Sequence, residues 1–270
     1  MAKESVDTKA PGNLALFILL TSKIARLNDG QDKILKLPQY VVKTILWTNA
    51  LERWGVDKHV VEIVTPPSKQ LASNFSNARK IIRLLHWTEP LGELYEVCRQ
   101  HDFDVRRILA APNGSKSYDA RHVLRIISFF QLLLSTANDM SDDLACLGRI
   151  GAIPKSYQSQ FEPISARLWF TGISLDIHAL LHHLNGTYQK RHSLLSGAEK
   201  TQQARDDIKK LDWSLFMLRL QLIKLLADVI FCWCDVNPAT PNADGLQTVS
   251  GLVSGVLSLF RLYVKASATL

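Results

Sequence analysis

The sequence predicts an all-α fold, and three observations carry that prediction. Apolar residues recur at helical spacing from end to end, and strand-like alternation bounded by Gly or Asn turns is scarce. The 270 residues include only 13 Gly and 10 Pro, below average usage for both, which argues against a turn-dense β chain. With 47% hydrophobic and 21% charged residues, the chain has ample material for a core and is not a disordered polymer. The 32 Lys and Arg against 25 Asp and Glu leave a net charge of +7, suited to an anionic partner such as nucleic acid or a lipid surface. Cys98, Cys146, Cys232 and Cys234 are too few and too scattered for a disulfide framework, so a reducing compartment is expected. The opening MAKESVDTKAPG is mixed in charge, and the apolar run Leu14 to Leu20 has no small-residue cleavage site behind it, unlike a signal peptide.

Turn residues divide the chain into expected helices at roughly 12 to 27, 31 to 54, 69 to 87, 91 to 110, 118 to 148, 164 to 185, 199 to 234 and 245 to 266. The punctuation lies at Thr65-Pro66-Pro67-Ser68, Thr88-Glu89-Pro90, Pro112 to Ser115, Gly151 to Pro154, Pro163 and Asn237 to Asn242. Residues 186–212 are polar and read as a linker between an amphipathic helical region, 1–185, and a C-terminal hairpin, 213–270.

Two stretches point to a membrane. With Leu71 at zero on a helical wheel, Phe75, Ala78, Ile82 and Leu85 fall within about 40 degrees, while Arg79, Lys80 and Arg83 occupy about 80 to 180 degrees. Such a basic amphipathic helix would lie in the interface of an anionic bilayer, each cation near the surface contributing about 1 kcal/mol, although most amphipathic helices simply face a protein core. The uncharged stretch Leu246 to Phe260 contains Gly251 and Gly255 at the small-xxx-small spacing that lets helices approach closely in lipid. Its rise of about 22 Å reaches across a bilayer only with help from Arg261 and the residues beyond it. A buried helix with two close-packing glycines fits equally well.

The preceding helix, Trp213 to Trp233, carries Arg219, Lys224 and Asp228, of which the last two are four apart and able to pair. If the two helices form a membrane hairpin, the connection DVNPATPNADG has no Lys or Arg whereas the preceding linker has six, which puts the linker and both termini in the cytosol.

Chemistry-bearing patterns are weaker. Asp139, Asp142 and Asp143 are spaced like the magnesium-binding aspartates of all-α prenyl-transferring enzymes, but Asp206 and Asp207 do not supply the matching second cluster, and a solvated turn is the simpler reading. His178, His182 and His183, with Asp176, offer a metal-like spacing without an HExxH pattern and read as an ordinary helix face. Asn113-Gly114-Ser115 and Asn185-Gly186-Thr187 match a glycosylation acceptor pattern that is common by chance. Phosphate-loop, dinucleotide, serine-hydrolase and CxxC patterns are absent, and the cations are dispersed rather than interleaved with stacking aromatics, so no cofactor, metal or nucleic acid is expected.

Five blocks in order resemble the peroxin-11 family of peroxisomal membrane proteins: Asp29 to Leu37 with Gln39-Tyr40; Ala78 to Leu84; Ala137 to Gly151; Ser165 to Phe170; and Leu225 to Asp228 with Gly251 to Tyr263. The sequence departs from the family pattern at Gln31, where Arg is common, at Leu85, where Gly is expected, and in the Pro-rich loop before the last helix. The resemblance implies a membrane-associated helical bundle with at least one embedded segment. It implies a peroxisomal membrane protein that oligomerises, inserts its amphipathic helix to elongate the organelle, and recruits fission machinery. On that reading Leu71, Phe75, Ile82 and Leu85 enter the lipid, Arg79, Lys80 and Arg83 meet its phosphates, and Gly251 and Gly255 make the self-association contact. Two other readings stand beside it: a metabolite pore lined by Arg219, Lys224 and Asp228, and an all-α diphosphate enzyme using Asp139, Asp142 and Asp143.

Overall fold

The structure, a computed structural model, describes residues 13–109, 120–196 and 202–268. These form ten helices and no strand: α1 Asn13–Ala25, α2 Asn28–Trp47, α3 Ala50–Arg53, α4 Lys58–Ile82, α5 Thr88–Gln100, α6 Val105–Leu109, α7 Ala120–Arg149, α8 Ser156–Ser196, α9 Gln202–Val236 and α10 Ala243–Ser267. The expected all-α class is thus observed.

Several boundaries differ from expectation, among them a break in the expected helix 91 to 110 between α5 and α6, where Asp102 and Phe103 take left-handed φ of 55° and 57°. The expected helix 31 to 54 stops at Thr48, because Asn49 takes a left-handed φ of 49° that Asn tolerates better than most residues, and α3 restarts after it. Pro66 and Pro67 do not end a helix; they lie inside α4, which starts earlier, where the Asp57 side chain accepts the His59 N–H at 2.8 Å. Both prolines are exposed, so the backbone bonds they cannot donate to Glu62 and Ile63 are given up on the outer surface. The polar stretch 186–212 is mostly helix: 186–196 completes α8 and 202–212 begins α9. Its Gln, Lys, Arg and Ala are good helix formers, and their polarity reflects exposure rather than a break. Pro163, also exposed, sits within α8, and the Asn185 to Thr187 pattern falls in that helix with Thr187 buried. Pro112 to Ser115 lie outside the described residues.

Packing joins six helices in a closed circuit: α2 to α4, α4 to α7, α7 to α8, α8 to α9, α9 to α10, and α10 back to α2. The main apolar seam lies between α8 and α9, where Ile173, Leu180 and Leu184 meet Leu215, Leu218, Leu225 and Cys232. Leu218, Leu225 and Cys232 are seven apart, the repeat that keeps one face of a long helix on its neighbour. The C-terminal hairpin is not set apart from the rest, since α10 packs on α2 as well as on α9.

The distribution of polarity is inverted along several helices. Asp32, Gln39, Asp139, Asp228, Thr248, Ser250, Ser254 and Ser258 are buried. Meanwhile Trp213, Phe216, Ile223, Leu226, Ile230 and Trp233 of α9 are exposed, as are Leu246, Val249, Val253, Val256 and Phe260 of α10.

Candidate membrane-contact site

Helix α4 divides its two faces differently from the wheel drawn on residues 69 to 87. With the helix beginning at Lys58, the exposed row is Val60, Ile63, Val64, Leu71 and Ile81, all within about 60 degrees of Val60. Phe75, Arg79 and Arg83 follow at about 60 to 140 degrees, on the side that also carries the buried Ala72. Of the expected lipid-contacting set, Leu71 and Leu85 are therefore exposed, while Phe75 and Ile82 are half-buried.

The three cations expected on lipid phosphates are turned inward, onto carboxylates. Arg79 donates from Nε to Asp32 Oδ1 and from Nη1 to Gln39 Oε1, both at 2.8 Å, tying α4 to α2. Lys80 Nζ donates to Asp142 Oδ1 at 3.3 Å and lies 3.8 Å from Glu162 Oε1. Arg83 Nη2 lies 3.8 Å from Asp139 Oδ1, and Asp139 Oδ2 also meets His86 Nδ1 at 3.4 Å. Asp143 completes the set by accepting the backbone N–H of Leu85 at 2.8 Å. Burial works against the Arg83 charge, but Asp142, Asp32, Asp139 and Asp29 outweigh it and hold the guanidinium above its ordinary value. Leu85 takes a φ of 67°, the left-handed region, at the position where the family pattern has Gly, and a Cβ there costs on the order of 1 kcal/mol.

The aspartates that resembled a magnesium cluster are thus taken up by Arg83, His86, Lys80 and the Leu85 amide. Among the described residues no group of three or more His, Cys, Asp or Glu side chains is arranged to hold a metal, and His178, His182 and His183 lie on the exposed face of α8.

Asp32 anchors this network with 1% exposure. Burial pushes its carboxyl up, yet Lys33 and Arg79 outweigh burial and hold it well below the usual carboxylate range. A depressed folded value means that its stabilisation is complete above the unfolded value of about 4 and is lost as pH falls through the folded one. Thermal melting of the purified protein between pH 7 and pH 3 is expected to show a decline setting in below about pH 4. Asp32→Asn, which lacks that contribution at every pH, should decline less over the same interval.

Helix α10 is long and apolar enough to cross a bilayer by length and composition. Its exposed side chains, Leu246, Val249, Val253, Val256 and Phe260, occupy a sector about 80 degrees wide. The small residues take the other side. A Cβ on Gly251 would sit 2.3 Å from Tyr40 Cε1, and one on Gly245 would sit 2.5 Å from Trp47 Cζ2. Gly255 faces Lys36 at 3.5 Å. The glycines expected to join two molecules are therefore packed against α2 of the same chain.

Lys224 and Asp228 pair at 2.7 Å, as their spacing predicts. Spacing within one helix does not reveal the partners that α2 and α10 add: Ser254 Oγ donates to Asp228 Oδ1 at 2.5 Å, Lys36 Nζ donates to Ser254 Oγ at 2.9 Å, and Lys36 Nζ lies 3.8 Å from Asp228 Oδ1. Arg219 donates to the Tyr188 hydroxyl and Arg261 Nη2 to Gln221 Oε1, so Arg219, Lys224, Asp228 and Arg261 each have a partner within the chain.

The family model described as Peroxisomal biogenesis factor 11 (PEX11) matches residues 20–263. Neither the curated proteins nor the solved structures yielded a match.

Proposed function

The chain belongs to the peroxisomal biogenesis factor 11 family, and from that premise we propose that it remodels the peroxisomal membrane by pressing apolar helix faces into the lipid while its charges are held inside the bundle. Membership supports a role in peroxisome biogenesis and a place at the peroxisomal membrane, and the family is one of biogenesis factors rather than enzymes. The observation that carries the finer reading is the inverted polarity: ion pairs and serines within, rows of Leu, Val, Ile, Phe and Trp on the outer faces of α4, α9 and α10. In water such rows are costly. Each large apolar side chain moved into lipid gains about 1.5–3 kcal/mol, enough for a few residues per helix to hold a segment at the bilayer.

Helix α10 then spans, α9 lines the same bilayer with its Trp and Ile face, and α4 lies in the cytosolic leaflet, with Val60, Ile63, Val64 and Leu71 entering the headgroup boundary. Area added to one leaflet bends the sheet and favours elongation before fission. The six Lys and Arg of residues 186–212, at the end of α8, in the connection and at the start of α9, support a cytosolic position for that end of the helix pair and, with α9 and α10 both crossing, for both chain ends. Self-association would concentrate the wedges, and its surface is the outward row of α10 rather than Gly251 and Gly255. Fission machinery remains a partner that membership of the family suggests. A metabolite pore is the second reading, and the pairing of Arg219, Lys224 and Asp228 within the chain favours the wedge over it.

The test is Ile63→Glu with Leu71→Glu in the full chain, reconstituted into vesicles containing phosphatidylserine and imaged by cryo-electron microscopy. Both positions are exposed, so the fold should persist while tubule formation falls several-fold. Tubulation at the level of the unaltered protein would overturn the wedge.

A further inference from the structure

We propose that the carboxylates Asp139, Asp142, Asp143 and Glu162 form an intramolecular latch on the corner between α4 and α5, and that anionic phospholipid opens it by replacing them as partners of Lys80 and Arg83. This inference rests on the membrane-remodelling reading above and adds a control to it.

Exposure separates the ion pairs along α4 into two kinds. Arg79 and Asp32 have side chains 15% and 1% exposed, with a second bond from Arg79 to Gln39, and that pair is a fixed joint between α4 and α2. Lys80 and Asp142 are each 23% exposed and Glu162 35%, while Arg83, itself 37% exposed, reaches inward to an Asp139 side chain that is only 8% exposed, so on its pair the surface has access to the cation alone. Water and headgroups reach these. A partly exposed pair binds weakly, and a cation brought to an anionic bilayer gains about fivefold in partition, so carboxylate and lipid phosphate compete on nearly equal terms. With Lys80 and Arg83 acting together, the balance shifts by about 25-fold between a neutral and an anionic surface, enough to convert a mostly closed corner into a mostly open one.

The corner is built to move at this point. Leu85 is 63% exposed and left-handed, and its amide is held by Asp143, so the same helix that binds the cations also binds the strained residue between α4 and α5. Ile81, in the last turn of α4, is 48% exposed. Opening on an anionic surface would bring Lys80, Arg83, Ile81 and Leu85 to the lipid together, while Arg79 keeps the rest of α4 on α2. Protein would then bend only membrane of the right charge.

A carbodiimide joins a lysine amine to a contacting carboxylate, taking up the water lost, and the Lys80–Asp142 cross-link can be mapped by mass spectrometry in the reconstituted full chain. Its yield should fall at least threefold between vesicles of phosphatidylcholine alone and vesicles with added phosphatidylglycerol, an anionic lipid with no carboxylate or amine of its own to react with the carbodiimide. An equal yield in both overturns the latch. In phosphatidylcholine vesicles given inorganic phosphate the yield should be unchanged; a fall there would make free phosphate the opener and overturn the lipid assignment.

A second arm places bimane on Leu85→Cys, with Cys98→Ser leaving only the buried Cys146, Cys232 and Cys234, and reads its quenching by brominated lipid. Asp139→Asn with Asp142→Asn should reach half-maximal quenching at severalfold less phosphatidylserine than the unaltered chain. The same midpoint in both counts against the latch even if the wedge holds; no quenching in either chain also overturns the latch, because opening is what brings Leu85 to the lipid, and the wedge of Val60 to Leu71 is decided separately by the tubulation test. Should the double variant fail to fold, the cross-link in the unaltered chain still decides.

Discussion

Replacing Asp228 with Asn is expected to cost about 3–5 kcal/mol, the largest loss from any single substitution outside the apolar seam. The carboxylate is 4% exposed and receives Lys224 at 2.7 Å, Ser254 at 2.5 Å and Lys36 at 3.8 Å, so three helices meet on one negative charge. An amide of the same shape keeps the hydrogen bond from Ser254 but leaves the two amines facing each other without a counter-charge. Lys224 is a quarter exposed and can swing to solvent, whereas the Lys36 side chain is 13% exposed and cannot. Burial already pulls Lys36 down to about 7 against the attraction of Asp228, and without Asp228 it falls further.

That predicts the pH dependence of the deficit. In both chains the unfolded lysine is protonated up to about pH 10.4, so between that value and the folded pKa stability rises with pH equally, and the deficit stays constant. Below about pH 7 the native chain has its Lys36 protonated and the slope ends, while the variant continues to lose stability, so the deficit widens. Melting in detergent at pH 6 and pH 8 checks the sign. Lys36→Met added to Asp228→Asn should recover part of the loss at pH 6, since it removes the orphaned amine. A deficit that narrows toward pH 6, or a double variant that is no better than the single, would show that the network is not what joins α2 to α9 and α10.

The sequence makes the class of the fold and the pairing of Lys224 with Asp228 legible, because both depend on spacing within one helix. It does not reveal Lys36 and Ser254 as further partners, since they lie on α2 and α10 and only the closed circuit brings them to α9. The faces of α4 differ from the wheel of residues 69 to 87 for a related reason. Pro66 and Pro67 carry a local preference to end a helix, yet their cost falls on an exposed face and the packing of α4 on α2 overrides it. Once the helix begins at Lys58, the apolar row runs through Val60, Ile63 and Val64, and Arg79 and Arg83 are left on the inner side. A basic flank on an amphipathic wheel fits lipid phosphate and a row of carboxylates equally well. Asp139, Asp142 and Asp143 are visible in the sequence, but nothing local says that their partners lie on another helix, with Lys80 62 residues before Asp142 and the Leu85 amide 58 before Asp143.

The glycines of α10 permit a sharper test, because the two readings of them predict different patterns. A small-xxx-small contact between molecules needs both positions, so Gly251→Ala and Gly255→Ala would weaken association to similar extents and leave the monomer intact. Packing within the chain treats them unequally. The new methyl at position 251 would lie 2.3 to 2.7 Å from three ring atoms of Tyr40. That ring is 4% exposed and meets Phe231 edge-on at 6.0 Å, so it has little room to retreat, and α10 must move off α2 at a cost of about 1–3 kcal/mol. At position 255 the nearest atom is Lys36 Cγ at 3.5 Å, an ordinary contact, and the better helix propensity of Ala makes the change neutral or favourable by up to about 1 kcal/mol. Tyr40→Ala combined with Gly251→Ala should cost less than the sum of the two, since the second change occupies space left by the first. Melting temperature in detergent reads the stability, and chemical cross-linking in the same micelles reads the oligomer. Equal losses of association at 251 and 255, with an unchanged melting temperature, would return the glycines to an interface between molecules; a loss of stability confined to 251 assigns them to the joint with Tyr40.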